Sequence, residues 1–216
     1  MTTEQTIPIS QHDSTVTEDE VAGAPPPAAN PLVVGLPAFI VGALSLGLVL
    51  TGFVPAAAVG ASLPIILAAT SVGLIIAAVW AASLGQNVVA SFSGILSGFW
   101  FSYAVLVLGL THNWFGISAS AAKDTQELFL VSWLVLIVVL TLATLRLPTV
   151  YTVLLLLVDI ALLLLLIATV NSSTGVQHAA GWFVFAFGVA AAYLFVDALS
   201  TSTGGSELPL GPPVLK

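Results

Sequence analysis

The chain has 216 residues, a hydrophobic fraction of 58% and a mean hydropathy of +1.13, whereas only 6% of its residues are charged. This composition excludes an ordinary soluble domain and predicts an integral membrane protein. The lack of cysteine excludes disulfides and thiolate sites, and the net charge of −7 argues against nucleic-acid binding, which needs clusters of Lys and Arg.

The first 30 residues differ from the rest of the chain. They are acidic and end near three consecutive prolines, Pro25, Pro26 and Pro27. A segment with so little apolar surface cannot offset the entropy lost on ordering. We therefore predict a disordered, acidic and proline-rich cytoplasmic tail over residues 1–30, with a regulatory docking arm as the alternative.

Six apolar segments follow, and each is long enough to cross about 30 Å of hydrocarbon as a helix. They cover residues 33–53, 57–81, 88–110, 127–145, 149–170 and 179–199. Open β structure is excluded because unpaired backbone groups cannot face lipid. The sequence thus predicts an all-α membrane protein with six transmembrane helices in one compact bundle over residues 31–200. Residues 201–216, which contain Gly and Pro pairs, are predicted to form a flexible C-terminal tail.

The basic residues give the expected orientation. An even number of spans places both termini on one side of the membrane, together with Arg146 and Lys216, and leaves Lys123 on the other. Because basic loops favour the cytoplasm, both termini are expected to be cytoplasmic.

Four short motifs resemble a known family. The first span opens with Asn30-Pro31-Leu32-Val33-Val34-Gly35-Leu36, which is similar to the Asn-Pro-Ala-Pro-Leu-Gly-Leu signature of the acetate uptake transporter family, which includes the succinate–acetate permeases. Asn30, Pro31, Gly35 and Leu36 match this signature, and the three residues between Pro31 and Gly35 do not. The other matches, in chain order, are Gly98-Phe99-Trp100, Trp133, and His178-Ala179-Ala180-Gly181-Trp182 continuing to Tyr193-Leu194.

The resemblance implies a homo-hexamer in the plasma membrane, with one pathway for small monocarboxylates through each six-helix protomer. It also implies an apolar constriction formed by three residues. Phe39 matches the family's Phe directly, Leu96 stands where the family has Tyr, and Val158 lies near the position of the family's Leu. An aliphatic residue in place of Tyr removes a hydroxyl group and implies a wider constriction, so the acid that is carried stays open.

The polar residues indicate how an acid could pass. No predicted span contains Lys or Arg, and a desolvated carboxylate without a cationic partner is costly. A short acid is therefore expected to cross as the neutral form or with its water. Candidate polar contacts for the substrate are Asn30, Asn87, Ser97 and Asn171. The alternative is local bonding, because Ser in a helix bonds its own backbone and Asn caps helix ends.

Asp159 lies mid-way along the fifth predicted span. A charge at that depth costs roughly 2.5–3.5 kcal/mol or more, so an acid there is a functional candidate by default. We predict either a proton relay beside Val158 or a neutral carboxyl group bonded to a neighbouring helix.

Taken together, the sequence predicts a channel or proton-linked transporter for small monocarboxylates such as acetate, with succinate and related short acids as further candidates. The expected partners are the acid, the lipid bilayer and further copies of the chain. No enzyme activity, catalytic residue, cofactor or metal site is predicted. The alternatives are a membrane scaffold or accessory protein that transports nothing, and a channel for a small neutral solute.

Overall fold

The computed structural model describes residues 29–216, and almost all of the predicted N-terminal tail lies outside this range. Within it, six helices are long and apolar enough to cross a membrane, which confirms the predicted all-α, six-span fold. They are α1 (Leu32–Leu50), α2 (Gly60–Ser83), α3 (Asn87–Thr111), α4 (Ala122–Ala143), α5 (Thr149–Asn171) and α6 (Thr174–Ser202).

Two helices begin about one turn earlier than the hydropathy of the sequence predicts. Helix α4 begins at Ala122 rather than at residue 127, and α6 begins at Thr174 rather than at residue 179. Both first turns are polar, so a search for apolar runs does not detect them. At α6 the hydroxyl group of Ser173 accepts a hydrogen bond from the Val176 N–H at 3.4 Å, which is the N-cap contact that sets a helix start.

The helices form a ring. Helix α1 packs against α2 and α6, α2 against α3, α6 against α5, and α5 against α4. The backbones of α3 and α4 make few direct contacts, and aromatic side chains fill the gap between them. Phe99 meets Trp133 edge-on, with 5.5 Å between ring centroids, and lies 5.9 Å from Phe129. The ring of six helices therefore closes through these aromatic side chains.

Small residues allow α1 to approach its two neighbours closely. A Cβ atom added to Gly35 would lie 3.1 Å from the Cβ of Ala77 on α2, and one added to Gly42 would overlap the side chain of Thr70. On the other side, a Cβ on Gly181 of α6 would lie 3.0 Å from the Cβ of Leu50. Without a hydrophobic force between helices in lipid, such close packing is a main source of helix association.

Helix α2 is irregular at its centre, where residues Ile66–Ser71 form a π-helical turn. The Ser71 hydroxyl group donates a 2.8 Å hydrogen bond to the Ile66 carbonyl, and the Ser71 carbonyl accepts one of 2.8 Å from the Ser97 hydroxyl on α3. Backbone groups left unpaired in the hydrocarbon region are costly. These two serines therefore satisfy carbonyls of the irregular turn and join α2 to α3.

The last residues of the chain fold back over the bundle as a segment that we call the C-terminal strap (residues 205–215). It crosses the α4–α5 turn and the end of α6. Its bonds are Val150 N–H to Leu210 O (3.2 Å), Leu215 N–H to Leu145 O (2.8 Å), the Tyr193 hydroxyl to Pro209 O (3.1 Å) and Leu208 N–H to Asp197 Oδ1 (2.7 Å). The flexibility predicted for residues 201–216 stays a prediction.

Candidate functional site

Three cavities lie in a row through the ring of helices. The first, the terminal-side vestibule, opens on the side where α1 begins and α6 ends, and has a volume of about 350 Å³. Residues near the first turns of α1, α3 and α5, the last part of α6 and the C-terminal strap line it, among them Leu32, Val89, Tyr151, Leu194 and Leu210.

The second cavity, the central compartment, lies at mid-height and has a volume of about 20 Å³, enough for about one water molecule. Phe39, Leu96 and Val158 all line it, and Phe39 and Leu96 also line the terminal-side vestibule. The structure therefore brings together the three residues expected to form the constriction, in the smallest of the three cavities. Their role in transport stays a prediction.

The third cavity, the opposite vestibule, has a volume of about 300 Å³ and shares Leu165 with the central compartment. The ends of α1, α3 and α5 line it, together with the beginnings of α4 and α6. Beside it is a polar chamber of about 350 Å³, which shares Gln126, Thr169 and Gln177 with the vestibule and also contains Lys123. The row of cavities thus ends in polar surroundings on this side.

The terminal-side vestibule is almost wholly apolar. Its lining includes two side chains with a hydroxyl group, Ser93 and Tyr151. The sequence analysis did not single out Ser93, although a signal exists, because it lies one helical turn before Ser97 on the same face of α3. An acid in this vestibule would contact mainly hydrocarbon.

The four predicted polar contacts lie outside the lining of the three cavities in a row. Asn30 accepts a 3.1 Å hydrogen bond from the Leu32 N–H through its side-chain oxygen, which is the capping alternative. Ser97 donates to α2, as described above, and the side-chain amide of Asn171 donates to Ile167 O at 2.9 Å. Asn87 is exposed at the start of α3. Contact between these four residues and a substrate stays a prediction.

Asp159 is buried and follows Val158 in the chain, but it faces α4 rather than the central compartment. Its Oδ2 atom accepts a 2.7 Å hydrogen bond from the Thr141 hydroxyl group. Thr144 and Thr152, both buried, continue this polar contact between α4 and α5, with 3.2 Å between their hydroxyl oxygens. Asp159 thus bonds to a neighbouring helix through one carboxyl oxygen, and whether it is a proton relay or a structural acid stays a prediction.

The ring of Trp100 lines the central compartment through apolar atoms. It is 1% exposed, and Phe39 and Phe99 pack against it edge-on, with ring centroids 6.0 Å and 5.3 Å from its own. Its indole Nε1 has no hydrogen-bond acceptor among residues 29–216. The sequence analysis used Trp100 only as part of a motif, because the partners of a donor depend on helices distant in the chain.

Among the described residues, no Asp, Glu, Lys or Arg lines the row of three cavities. Lys123 donates a 2.6 Å hydrogen bond to Val170 O and lies 3.9 Å from Glu127 Oε1. No group of three or more His, Asp or Glu side chains in this part of the chain is arranged to hold a metal ion.

Comparisons with known proteins place these observations in context. The model of the GPR1/FUN34/yaaH family matches residues 20–206. The fold is similar to that of a solved structure described as the bacterial acetate channel SatP, with a TM-score of 0.75 and 22% sequence identity. The alignment covers 85% of this chain and 99% of that one. No curated protein matched. At this identity the structural likeness establishes a shared fold.

Proposed function

We propose, because this chain belongs to the GPR1/FUN34/yaaH family, that it is a membrane channel or proton-linked transporter for small monocarboxylates such as acetate. The resemblance to the acetate uptake transporters that the sequence motifs indicated is confirmed by this membership. The observation that carries the proposal is the row of three cavities through the helix ring, with Phe39, Leu96 and Val158 around the smallest. That the similar solved structure is an acetate channel supports the choice of substrate.

The polarity of the cavities suggests how an acid would pass. On the opposite side, the side-chain amides of Gln126 and Gln177 can donate hydrogen bonds to a carboxylate. The surface of the central compartment is wholly apolar, and neither Lys nor Arg lines it. Because an unpaired carboxylate is costly in such surroundings, we propose that the acid crosses the central compartment in its neutral form, and that the compartment, which has space for about one water molecule, widens as the acid passes. This requirement links transport to the pH difference across the membrane.

The remaining predicted residues take secondary roles in this proposal. Asn87 precedes Val88, which lines the terminal-side vestibule. Of the four predicted polar contacts, we therefore propose Asn87 as the one that contacts the acid at the entrance of this vestibule. Asp159 we assign to the pairing of α4 with α5, because it bonds to Thr141 and lies outside the lining of the cavities.

We also propose a homo-hexamer in the plasma membrane with both termini in the cytoplasm. Supporting the orientation, Arg146 lies in the α4–α5 turn on the terminal side, and Lys123 lies on the other side. Supporting assembly, the outer surface of the ring exposes many large apolar side chains, such as Val79 and Val189, that either lipid or another copy can cover. Native mass spectrometry in mild detergent should give the mass of six copies, and a monomer would contradict the proposal.

Uptake of labelled acetate into proteoliposomes tests the function. We expect uptake above that of protein-free liposomes, and an increase when the outside is made more acidic than the inside. Setting the membrane potential with valinomycin and potassium then distinguishes passage of the acetate anion from passage of the neutral acid. The rate of anion passage depends on the potential, and the rate of neutral-acid passage does not. Absence of protein-dependent acetate uptake would reject the proposal. Water or ammonia flux without acetate flux would instead favour a channel for a neutral solute, and no flux at all would favour a scaffold.

A further inference from the structure

We propose that Leu210 of the C-terminal strap is a specificity-determining residue. It supplies part of the wall of the terminal-side vestibule against which the alkyl chain of the acid packs, and so favours monocarboxylic acids with longer chains. This inference rests on the proposed function, because it concerns the substrate of the same pathway. The match to the family model ends at residue 206, so Leu210 lies beyond the part of the chain that the family model describes.

The first argument is the position of Leu210. Its side chain is half-buried, packs against the apolar core of the bundle and lines the terminal-side vestibule. Its neighbours in that lining include Leu147 and Pro148 from the α4–α5 turn and Leu194 from α6. No other residue of the strap, all of which the structure describes, lines this vestibule. The contribution of the strap to the vestibule is therefore the Leu210 residue.

The second argument is that the backbone around Leu210 is held in place. The Pro209 carbonyl accepts a 3.1 Å hydrogen bond from the Tyr193 hydroxyl group, and the Leu210 carbonyl accepts one of 3.2 Å from the Val150 N–H. The next residue, Gly211, has a φ angle of 77°, and a Cβ atom there would lie 3.1 Å from a side chain at the start of α5. Glycine permits both this left-handed conformation and this close approach. The contacts hold Leu210 at the vestibule as a fixed part of its wall.

The third argument is the chemistry of this wall. The vestibule is almost wholly apolar and, at about 350 Å³, has room for a short acid. Each methylene group of the acid that moves from water onto such a surface strengthens binding by up to about fourfold. A dicarboxylic acid gains less, because its second carboxyl group must give up its water against hydrocarbon. An apolar wall at the entrance therefore favours butyrate over acetate and over succinate.

Shortening the Leu210 side chain tests the proposal. The preference for butyrate is measured as the ratio of the inhibition constants of acetate and butyrate for labelled acetate uptake. Leu210→Ala removes most of the apolar contact, so this ratio should fall roughly 2- to 4-fold, whereas Leu210→Met keeps an apolar side chain of similar volume and should retain it. Val214→Ala is the matched control and should also retain it, because Val214 lies in the same strap, is 55% exposed and lies outside the lining of the vestibule. In the unaltered protein, succinate should inhibit less than butyrate does.

A chemical measurement tests the contact without a transport assay. The chain has no cysteine, so Leu210→Cys introduces a single thiol whose reaction with N-ethylmaleimide can be followed at constant pH and ionic strength. Acid in the vestibule should slow this reaction, and butyrate should slow it more than acetate at equal concentration, whereas the thiol of Val214→Cys should react at the same rate with or without either acid. A reaction of Leu210→Cys that butyrate does not slow, or an unchanged ratio in a folded Leu210→Ala protein, would overturn this inference while leaving the proposed function standing. Absence of acetate uptake in the unaltered protein would instead reject the proposed function.

Discussion

Replacing Leu96 with tryptophan should block the pathway and leave the bundle folded. Leu96 is 8% exposed and lines both the terminal-side vestibule and the central compartment, so its side chain lies where these two cavities meet. The central compartment, at about 20 Å³, cannot accept an indole ring. The vestibule, at about 350 Å³, has room for it. The new ring should therefore lie across the junction without forcing the helices apart.

The size of the effect follows from the cost of moving that ring. Where the vestibule meets the central compartment, a solute that passes must press the indole against already packed side chains, and overpacking of this kind costs typically about 1–3 kcal/mol. Added to the barrier for passage, this cost reduces the rate of uptake roughly 5- to 150-fold, since about 1.4 kcal/mol corresponds to tenfold.

The assay is labelled acetate uptake into proteoliposomes that contain equal amounts of each protein, with folding checked by size-exclusion chromatography and thermal unfolding. Leu163→Trp is the matched control, because Leu163 on α5 is 46% exposed on the outside of the ring and the new side chain can extend into lipid. Uptake by Leu163→Trp should equal that of the unaltered protein. If a folded Leu96→Trp protein takes up acetate at the unaltered rate, the pathway does not pass between Phe39, Leu96 and Val158.

Further predictions concern the helix contacts and the vestibule. Thr141→Val removes the hydrogen bond to Asp159 and should lower the free energy of unfolding by about 1–3 kcal/mol, measured by thermal unfolding in detergent; an unchanged stability would show that the bond contributes nothing. Asp159→Asn keeps the acceptor oxygen, so the pH profile of acetate uptake should not change, and a changed profile would identify Asp159 as a proton relay. Gly42→Ala, whose new Cβ would overlap Thr70, should destabilise the protein by about 1–3 kcal/mol, whereas Gly175→Ala, which has open space around it, should not. Unbranched acids longer than acetate should compete better for uptake, by up to about fourfold for each methylene that enters the apolar terminal-side vestibule; equal inhibition by acetate and butyrate would contradict this.

The fold could be predicted from the sequence because lipid imposes a single length rule on all six spans. The predicted start of α5, at residue 149, agrees with the structure, since Pro148 directly precedes it and cannot continue a helix from α4. The rule fails where helices extend beyond the apolar region, as in the polar first turns of α4 and α6. It also does not detect the π-helical turn of α2, in which the Ser71 carbonyl accepts a hydrogen bond from the Ser97 hydroxyl group of another helix.

The site could be predicted only in part. The family resemblance gave Phe39, Leu96 and Val158, which line one cavity, because spacing along three helices fixes which residues face the interior at the same height. Polarity alone does not fix where a side chain lies, since Ser97 and Asn171 donate to backbone carbonyls and lie outside the lining of the three cavities. The unpaired N–H of Trp100 could not be predicted, because whether a donor has a partner depends on every helix that packs around it.

The attachment of the chain's last residues affects how this protein can be labelled. Because the Leu215 N–H bonds to Leu145 O, a reporter inserted directly behind Lys216 would start only one residue from an anchored backbone and close to the terminal-side vestibule that Leu210 lines. We expect a bulky reporter there to strain the contact with the α4–α5 turn and to change the shape of the terminal-side vestibule. The transport rate measured with it would then differ from that of the unaltered protein. A flexible Gly/Ser spacer would let the reporter move independently and would keep the measurement representative of the unaltered protein.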